Sequence, residues 1–84
     1  MTRAFERPVV DIVETGRNIR ELRIERNISI REIQRVLGFE YPQSIYNWET
    51  GKNMPSIDNL LVLSAFFNTP MEKIVGYHSV PTTV

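Results

Sequence analysis

Apolar side chains recur every three or four residues over most of the chain, the spacing that places them on one face of an α-helix. The clearest case begins at Ser29, which forms with Glu32 the S-x-x-E pattern of a capping box. Ile28 and Ile33 occupy the two positions of a hydrophobic staple, and Gly38 suits the left-handed residue that ends a helix. The pattern therefore predicts one short helix with two well-defined ends.

Four further helices are predicted from similar signals at their ends. Thr15 can cap the first, Pro42 suits the first turn of the third, and Ser56 begins the fourth. Thr69 and Glu72 form a second capping box ahead of a short fifth helix. In chain order, the five predicted helices cover residues 15–26, 29–37, 42–50, 56–68 and 69–75.

The predicted fold class is all-α, a compact five-helix bundle that contains a helix-turn-helix. The only candidate for strand-like alternation is the short stretch from Val9 to Val13. We divide the chain into an N-terminal arm (1–14), the helix-turn-helix domain (15–76) and a C-terminal tail (77–84).

Composition narrows the class of protein. The chain has 84 residues, which is the length of a single domain, and its ten basic residues balance its ten acidic ones. It has no cysteine, which excludes thiolate metal sites and fits a reducing compartment. No apolar run reaches the ~18 residues of a membrane span. The only histidine, His78, has no second ligand or catalytic partner in the pattern. We predict a cytoplasmic protein without membrane partner, metal, cofactor or enzymatic activity.

The third predicted helix carries the most informative chemistry. At about 100° per residue, four polar side chains share one arc of this helix, while Ile45 and Trp48 lie opposite and Ser44 lies on the flank. The four polar residues are Gln43, Tyr46, Asn47 and Thr50. Glutamine and asparagine amides can pair with adenine N6 and N7 in the major groove of DNA. The pattern thus predicts a helix that is seated by one face and reads bases with the other.

These motifs carry a resemblance to a known family. The stretches "SIREIQRVLGF" and "IYNWETGKNMPS", followed by an apolar fourth helix, make the chain from Thr15 to Val75 resemble the phage-repressor (Cro/repressor-type) helix-turn-helix family of DNA-binding transcriptional regulators. The resemblance implies that Gln43, Ser44 and Asn47 take base-reading and backbone-reading positions. It also implies that Lys52 and Asn53 approach phosphates.

Three departures from the family pattern affect the turn before the third helix. Ile30 stands where the family often has a phosphate-binding glutamine, and Gln34 stands where it often has alanine at the close helix crossing. The segment from Gly38 to Trp48 is one residue longer than usual. A larger side chain at the crossing and a longer turn can compensate each other, with a change in the tilt of the reading helix.

Four arginines outside the third helix are further candidates for DNA contacts. Arg31 and Arg35 lie on one face of the second predicted helix, either as phosphate contacts or as ordinary solvated charges. Arg3 and Arg7 lie in the N-terminal arm, which either enters a minor groove or is disordered.

Two functions from different classes fit the pattern. The first is a sequence-specific transcriptional regulator that binds double-stranded DNA as a homodimer. One reading helix covers few base pairs, and two-fold symmetry supplies the reading helix of a second protomer. The alternative is a protein-interaction module on the same scaffold, an antitoxin-like protein that binds a partner such as a toxin. The neutral net charge of the chain and the presence of Ile30 favour the alternative, whereas the amide-rich face of the third helix favours DNA binding.

Overall fold

A computed structural model describes residues 2–84. Its elements are, in chain order, β1 (Ala4–Val10), α1 (Ile12–Glu25), α2 (Ile30–Leu37), α3 (Gln43–Glu49), α4 (Ile57–Phe67), α5 (Met71–Ile74) and β2 (Tyr77–Thr83). The five helices correspond to the five that the sequence predicts. Within the described residues, no helix is long and apolar enough to cross a membrane.

One apolar core holds the five helices together. Its members are the buried apolar residues of all five helices, namely Ile19, Ile33, Ile45, Trp48, Leu60, Leu63, Phe67 and Ile74. Ile45 and Trp48 of α3 both lie in it, as the helical spacing predicts. Because a single core is shared, α3 cannot rotate about its own axis without exposing Trp48 or Ile45 to water.

The capping box of α2 is present as predicted. The Ser29 hydroxyl accepts a hydrogen bond from the Glu32 amide at 3.0 Å, and the Glu32 carboxylate accepts one from the Ser29 amide. Ser56 likewise caps α4 by accepting from the Asn59 amide, and Asn68 ends that helix in the left-handed conformation. The ends of these two helices are therefore set by local sequence.

Two predicted caps are wrong. Helix α1 begins earlier than predicted, because the Asp11 carboxylate, rather than Thr15, accepts from a first-turn amide, that of Glu14, at 3.0 Å. At α5 the second capping box is absent, since the Thr69 hydroxyl donates instead to the Phe67 carbonyl oxygen at 3.0 Å. Pro70 alone precedes that helix, and no side chain caps it.

The two ends of the chain form a structure that the all-α prediction missed. Strands β1 and β2, which lie where an arm and a tail were expected, pair antiparallel from Val10↔Tyr77 to Ala4↔Thr83. We call this two-stranded sheet the terminal ribbon. It joins the helices through a hydrogen bond from the Asp11 amide to the Gly76 carbonyl at 2.8 Å. The fold is thus five helices with a small two-stranded sheet.

Thr15 connects the ribbon to the helical body. Its hydroxyl donates to the Asp11 carbonyl at 2.8 Å and accepts from the Gly76 amide at 2.9 Å, and the residue is fully buried. A β-carbon on Gly76 would lie 2.5 Å from the Cβ of Glu14, so the chain passes α1 here at a distance that only glycine allows. The start of the ribbon is therefore fixed to the first turn of α1.

Candidate nucleic-acid interface

Helices α2 and α3 form a helix-turn-helix. Gly38 ends α2 in the left-handed conformation with a φ of 70°, and Pro42 stands immediately before α3. Gln34 fills the crossing, where its side-chain amide donates to the carbonyl oxygens of Phe39 at 3.3 Å and Glu40 at 3.1 Å. Gln34 therefore bonds to the backbone of the turn between α2 and α3.

The polar face of α3 points away from the core. Gln43, Ser44, Tyr46 and Thr50 are exposed, and Asn47 is half-buried. The Gln43 side-chain nitrogen donates to the Asn47 side-chain oxygen at 3.0 Å. This bond leaves the Gln43 oxygen and the Asn47 nitrogen directed to other partners, so the two amides together offer both an acceptor and donors.

Tyr46 and Thr50 form a second pair on α3. The Thr50 hydroxyl donates to the Tyr46 carbonyl oxygen at 2.8 Å. Its proton is thus used within the helix, and Thr50 can approach an external group only as an acceptor or through its methyl group. Tyr46 is 48% exposed, so a ligand can reach its side chain.

A buried ion pair fixes the C-terminal end of α3 against α1. The Arg23 guanidinium donates two hydrogen bonds to the Glu49 carboxylate, at 2.8 and 2.9 Å, and a third to the Ile28 carbonyl at 3.2 Å. The Glu49 side chain is only 6% exposed. The hydrogen bond to Glu49 raises the pKa of Arg23, against the opposing effect of burial. No spacing rule connects residues so far apart, and the sequence did not point to this pair.

A glycine allows the same two helices to touch. A β-carbon on Gly16 of α1 would overlap the carbonyl oxygen of Trp48 and lie 3.2 Å from the carbonyl carbon of Glu49. Gly16 is buried within α1, so its role is the close approach of two backbones rather than a turn. Helix α3 is thus positioned by backbone contact at Gly16, by the ion pair and by its apolar face.

The predicted phosphate contacts lie next to α3. Gly51 turns the chain with a φ of 77°, and the amides of Lys52 and Asn53 both donate to the Asn47 carbonyl. Both side chains are exposed. Arg31 and Arg35 are exposed on α2, and no hydrogen bond or ion pair of the described residues joins them to α3. The structure therefore groups Lys52 and Asn53 with the amide pair but leaves the two arginines on a separate helix.

Across residues 2–84, no three side chains of His, Cys, Asp or Glu come together in a way that could hold a metal ion.

Comparisons with known proteins agree on the helical region. The family model of the helix-turn-helix matches residues 19–74. Among solved structures, the restriction-modification controller protein C.AhdI from Aeromonas hydrophila is similar with a TM-score of 0.68 and 23% identity, over 76% of this chain and 96% of that one.

Two further structures share this fold. The DNA-binding domain of BldD superposes with a TM-score of 0.65 and 15% identity, over 79% of this chain and 94% of that one. The S. venezulae BldD DNA-binding domain gives the same TM-score and identity, over 79% and 97% of the two chains. No curated protein matches the sequence significantly. At these identities the structures show a common fold.

Proposed function

The chain belongs to the Cro/C1-type helix-turn-helix family and is a DNA-binding transcriptional regulator, and from this premise we propose that it reads a specific sequence in the major groove with α3. The observation that carries the proposal is the hydrogen-bonded amide pair of Gln43, which is exposed, and Asn47, which is half-buried, on a helix whose opposite face is buried. The regulator acts in the cytoplasm and works by binding rather than by catalysis.

Each residue of the polar face receives a role from its chemistry. Gln43 and Asn47 pair with base edges, where an amide can both donate and accept. Ser44 and Tyr46 contact bases or the adjoining backbone, and Thr50 offers its methyl group or an accepted hydrogen bond. Lys52 and Asn53 bind phosphates on one side of the groove, and Arg31 and Arg35 bind them from α2.

We further propose that the regulator binds as a homodimer. Helix α3 has seven residues, too short to read a long site alone. From the apolar pattern alone, the fourth and fifth helices and the tail are candidates for the contact surface, with Ile74, Tyr77 and Val80 available. Ile74 is fully buried and cannot take part. Helix α4 instead exposes Ile57 (64%) and Leu61 (55%), one turn apart. This stripe of α4 is the dimer surface that we favour.

Selection from a randomised duplex pool tests the function and the symmetry together. We expect enrichment of an inverted repeat, with half-sites about one helical turn apart, and binding that weakens as salt increases. A monomer on the selected DNA in sedimentation, or an asymmetric site, would contradict the dimer. The partner-binding alternative gains support if no sequence is enriched and no binding occurs at low salt, because the exposed stripe on α4 would then serve another protein.

Alanine substitution separates base readers from phosphate contacts. Gln43→Ala or Asn47→Ala is expected to cost roughly 1–3 kcal/mol on the selected site and to relax the preference at one or two positions. Lys52→Ala is expected to weaken binding to all sequences alike and to reduce the salt slope by about one unit. The measurement is affinity for the selected site and for its single-base variants at several salt concentrations.

The melting temperature of each variant provides the folding control, since all three side chains lie outside the core. If Asn47→Ala lowers affinity uniformly over all base variants, as Lys52→Ala should, then Asn47 is not a base reader. The extended turn after Gly38 would then be the cause, because it would have turned this face of α3 towards the backbone.

A further inference from the structure

The terminal ribbon projects beyond the helical body. The molecule measures 52 Å along its longest axis against 24 and 20 Å along the others. Hydrogen bonds continue the ladder past β1 and β2 to Arg3 and Val84, whose amides and carbonyls bond to each other at 2.8 and 2.9 Å. A two-stranded ribbon of this kind is only marginally stable in water without a partner surface. A surface that covers one face of the ribbon would therefore stabilise it.

Its free edges do not suit pairing with another strand. Arg3 and Val84 exchange hydrogen bonds with each other. In an antiparallel pair the bonded positions alternate, so the residue next to each of them, and every second residue after that along its strand, points its amide away from the partner strand. Pro8 of β1 and Pro81 of β2 both occupy outward positions, opposite Ser79 and Glu6 respectively. Each outer edge thus lacks a donor near its middle, which is how proteins protect a strand from edge-to-edge association.

The two faces of the ribbon differ in charge. Residues directly opposite in an antiparallel pair lie on the same face, and the face alternates along each strand. Arg3 and Arg7 therefore share one face, and His78 lies on it opposite Val9. Glu6, which is the ribbon's only acidic side chain, lies on the other face. We call the face with the two arginines the basic face.

The base of the ribbon lies beside the loop that carries Lys52. The backbone of Gly51 packs against Val13 in the first turn of α1, where an added β-carbon would lie 3.0 Å from the Val13 side chain. Asp11, just before that turn, holds Gly76 at the start of β2. The base of the ribbon and the loop that carries Lys52 therefore both lie against the first turn of α1.

From this arrangement we propose that the basic face binds the phosphate backbone of duplex DNA flanking the sequence read by α3. The proposal rests on the proposed function and extends its contact surface. Arg3 and Arg7 stand four residues apart on an extended strand, roughly 13 Å at 3.3 Å per residue. This separation lets them bind two different phosphates, and Phe5 between them on the same face adds apolar contact to the sugars.

A second copy of the chain fits this face less well than DNA does. The prolines hinder strand addition at both edges, as described above. Stacking two basic faces would bring four arginines into one interface to which neither face contributes an acidic side chain, which is unfavourable. Phosphates, by contrast, are the ligands that guanidinium groups bind with paired hydrogen bonds.

The test compares two duplexes that contain the same selected site. One ends at the site, and the other continues for about ten base pairs on each side, one helical turn. We expect the double variant Arg3→Ala/Arg7→Ala to bind the short duplex as the unmodified protein does. On the long duplex its salt slope should be smaller by about 1.8 for each bound protomer, since each lost phosphate contact removes about 0.9.

Two further variants make the result specific. Arg3→Lys/Arg7→Lys should retain the salt slope on the long duplex, because it keeps both charges. Lys73→Ala removes one charge from an exposed position of α5 and should affect both duplexes equally. Tight binding of the short duplex establishes the function of α3 independently of the ribbon.

Two results would overturn the proposal. In the first, the arginine-to-alanine variant shows the same salt slope as the unmodified protein on both duplexes. In the second, the variant sediments as a monomer where the unmodified protein is a dimer, which would assign the ribbon to a second copy of the chain instead.

Discussion

Replacing Glu49 with alanine is expected to destabilise the protein by about 3 kcal/mol. The substitution leaves the Arg23 guanidinium, whose side chain is only 15% exposed, without the carboxylate that accepts two of its hydrogen bonds. Removing one partner of a buried pair typically costs about 3–5 kcal/mol, and we take the lower end because Arg23 keeps some solvent and the Ile28 carbonyl. Urea denaturation monitored by circular dichroism measures the loss.

Two further variants separate the ion pair from a general effect of charge. Glu25→Ala removes an exposed carboxylate from α1 and is expected to change stability by less than about 0.5 kcal/mol. Arg23→Met/Glu49→Leu replaces both charges by apolar side chains and should recover most of the stability. If Glu49→Ala costs no more than Glu25→Ala, the ion pair does not hold α3 against α1.

Replacing Gly16 with alanine is expected to cost about 2–3 kcal/mol, the upper part of the usual range for overpacking. The added methyl group would overlap the Trp48 carbonyl oxygen, and backbone on both sides cannot swing away as a flexible side chain would. Helices α1 and α3 must therefore separate, which also strains the Arg23–Glu49 pair. Thermal and urea unfolding give the change in stability, and affinity for the selected DNA shows whether α3 has moved.

Gly38 provides the comparison for this substitution. It has a φ of 70° and open space around it, so Gly38→Ala meets conformational strain alone, roughly 1–2 kcal/mol. A similar loss of stability at both glycines, with DNA affinity unchanged, would show that close approach at Gly16 does not position α3.

The sequence predicted the helix-turn-helix because its signals are local. The capping box at Ser29, the left-handed residue at Gly38 and the pairing of Ile45 with Trp48 all lie within a few residues of the structure that they determine. The family resemblance, which rested on these stretches, is confirmed by the match over residues 19–74. The base-reading and phosphate-binding roles stay predictions, because they concern a ligand rather than the fold.

The parts that the sequence did not predict depend on residues far apart in the chain. Arg23 and Glu49 meet only after α1 and α3 have packed, and nothing in their spacing connects them. The terminal ribbon pairs the two ends of the chain. A proline inside each strand weakens the strand signal of both segments. Thr15 could have capped α1, but Asp11 takes that role while the Thr15 hydroxyl bonds to Gly76, which β2 brings beside it.

The ribbon also has a consequence for the order of folding. Its strands come from opposite ends of the sequence, so closing them in an unfolded chain would carry a large loop entropy. The helices form from contacts much closer in sequence, which favours their earlier assembly. Once the helical body has brought Asp11 beside Gly76, that loop is already closed and the remaining pairs can form one after another towards Arg3 and Val84. We therefore expect the ribbon to be the last part of the chain to become ordered and the first to fray.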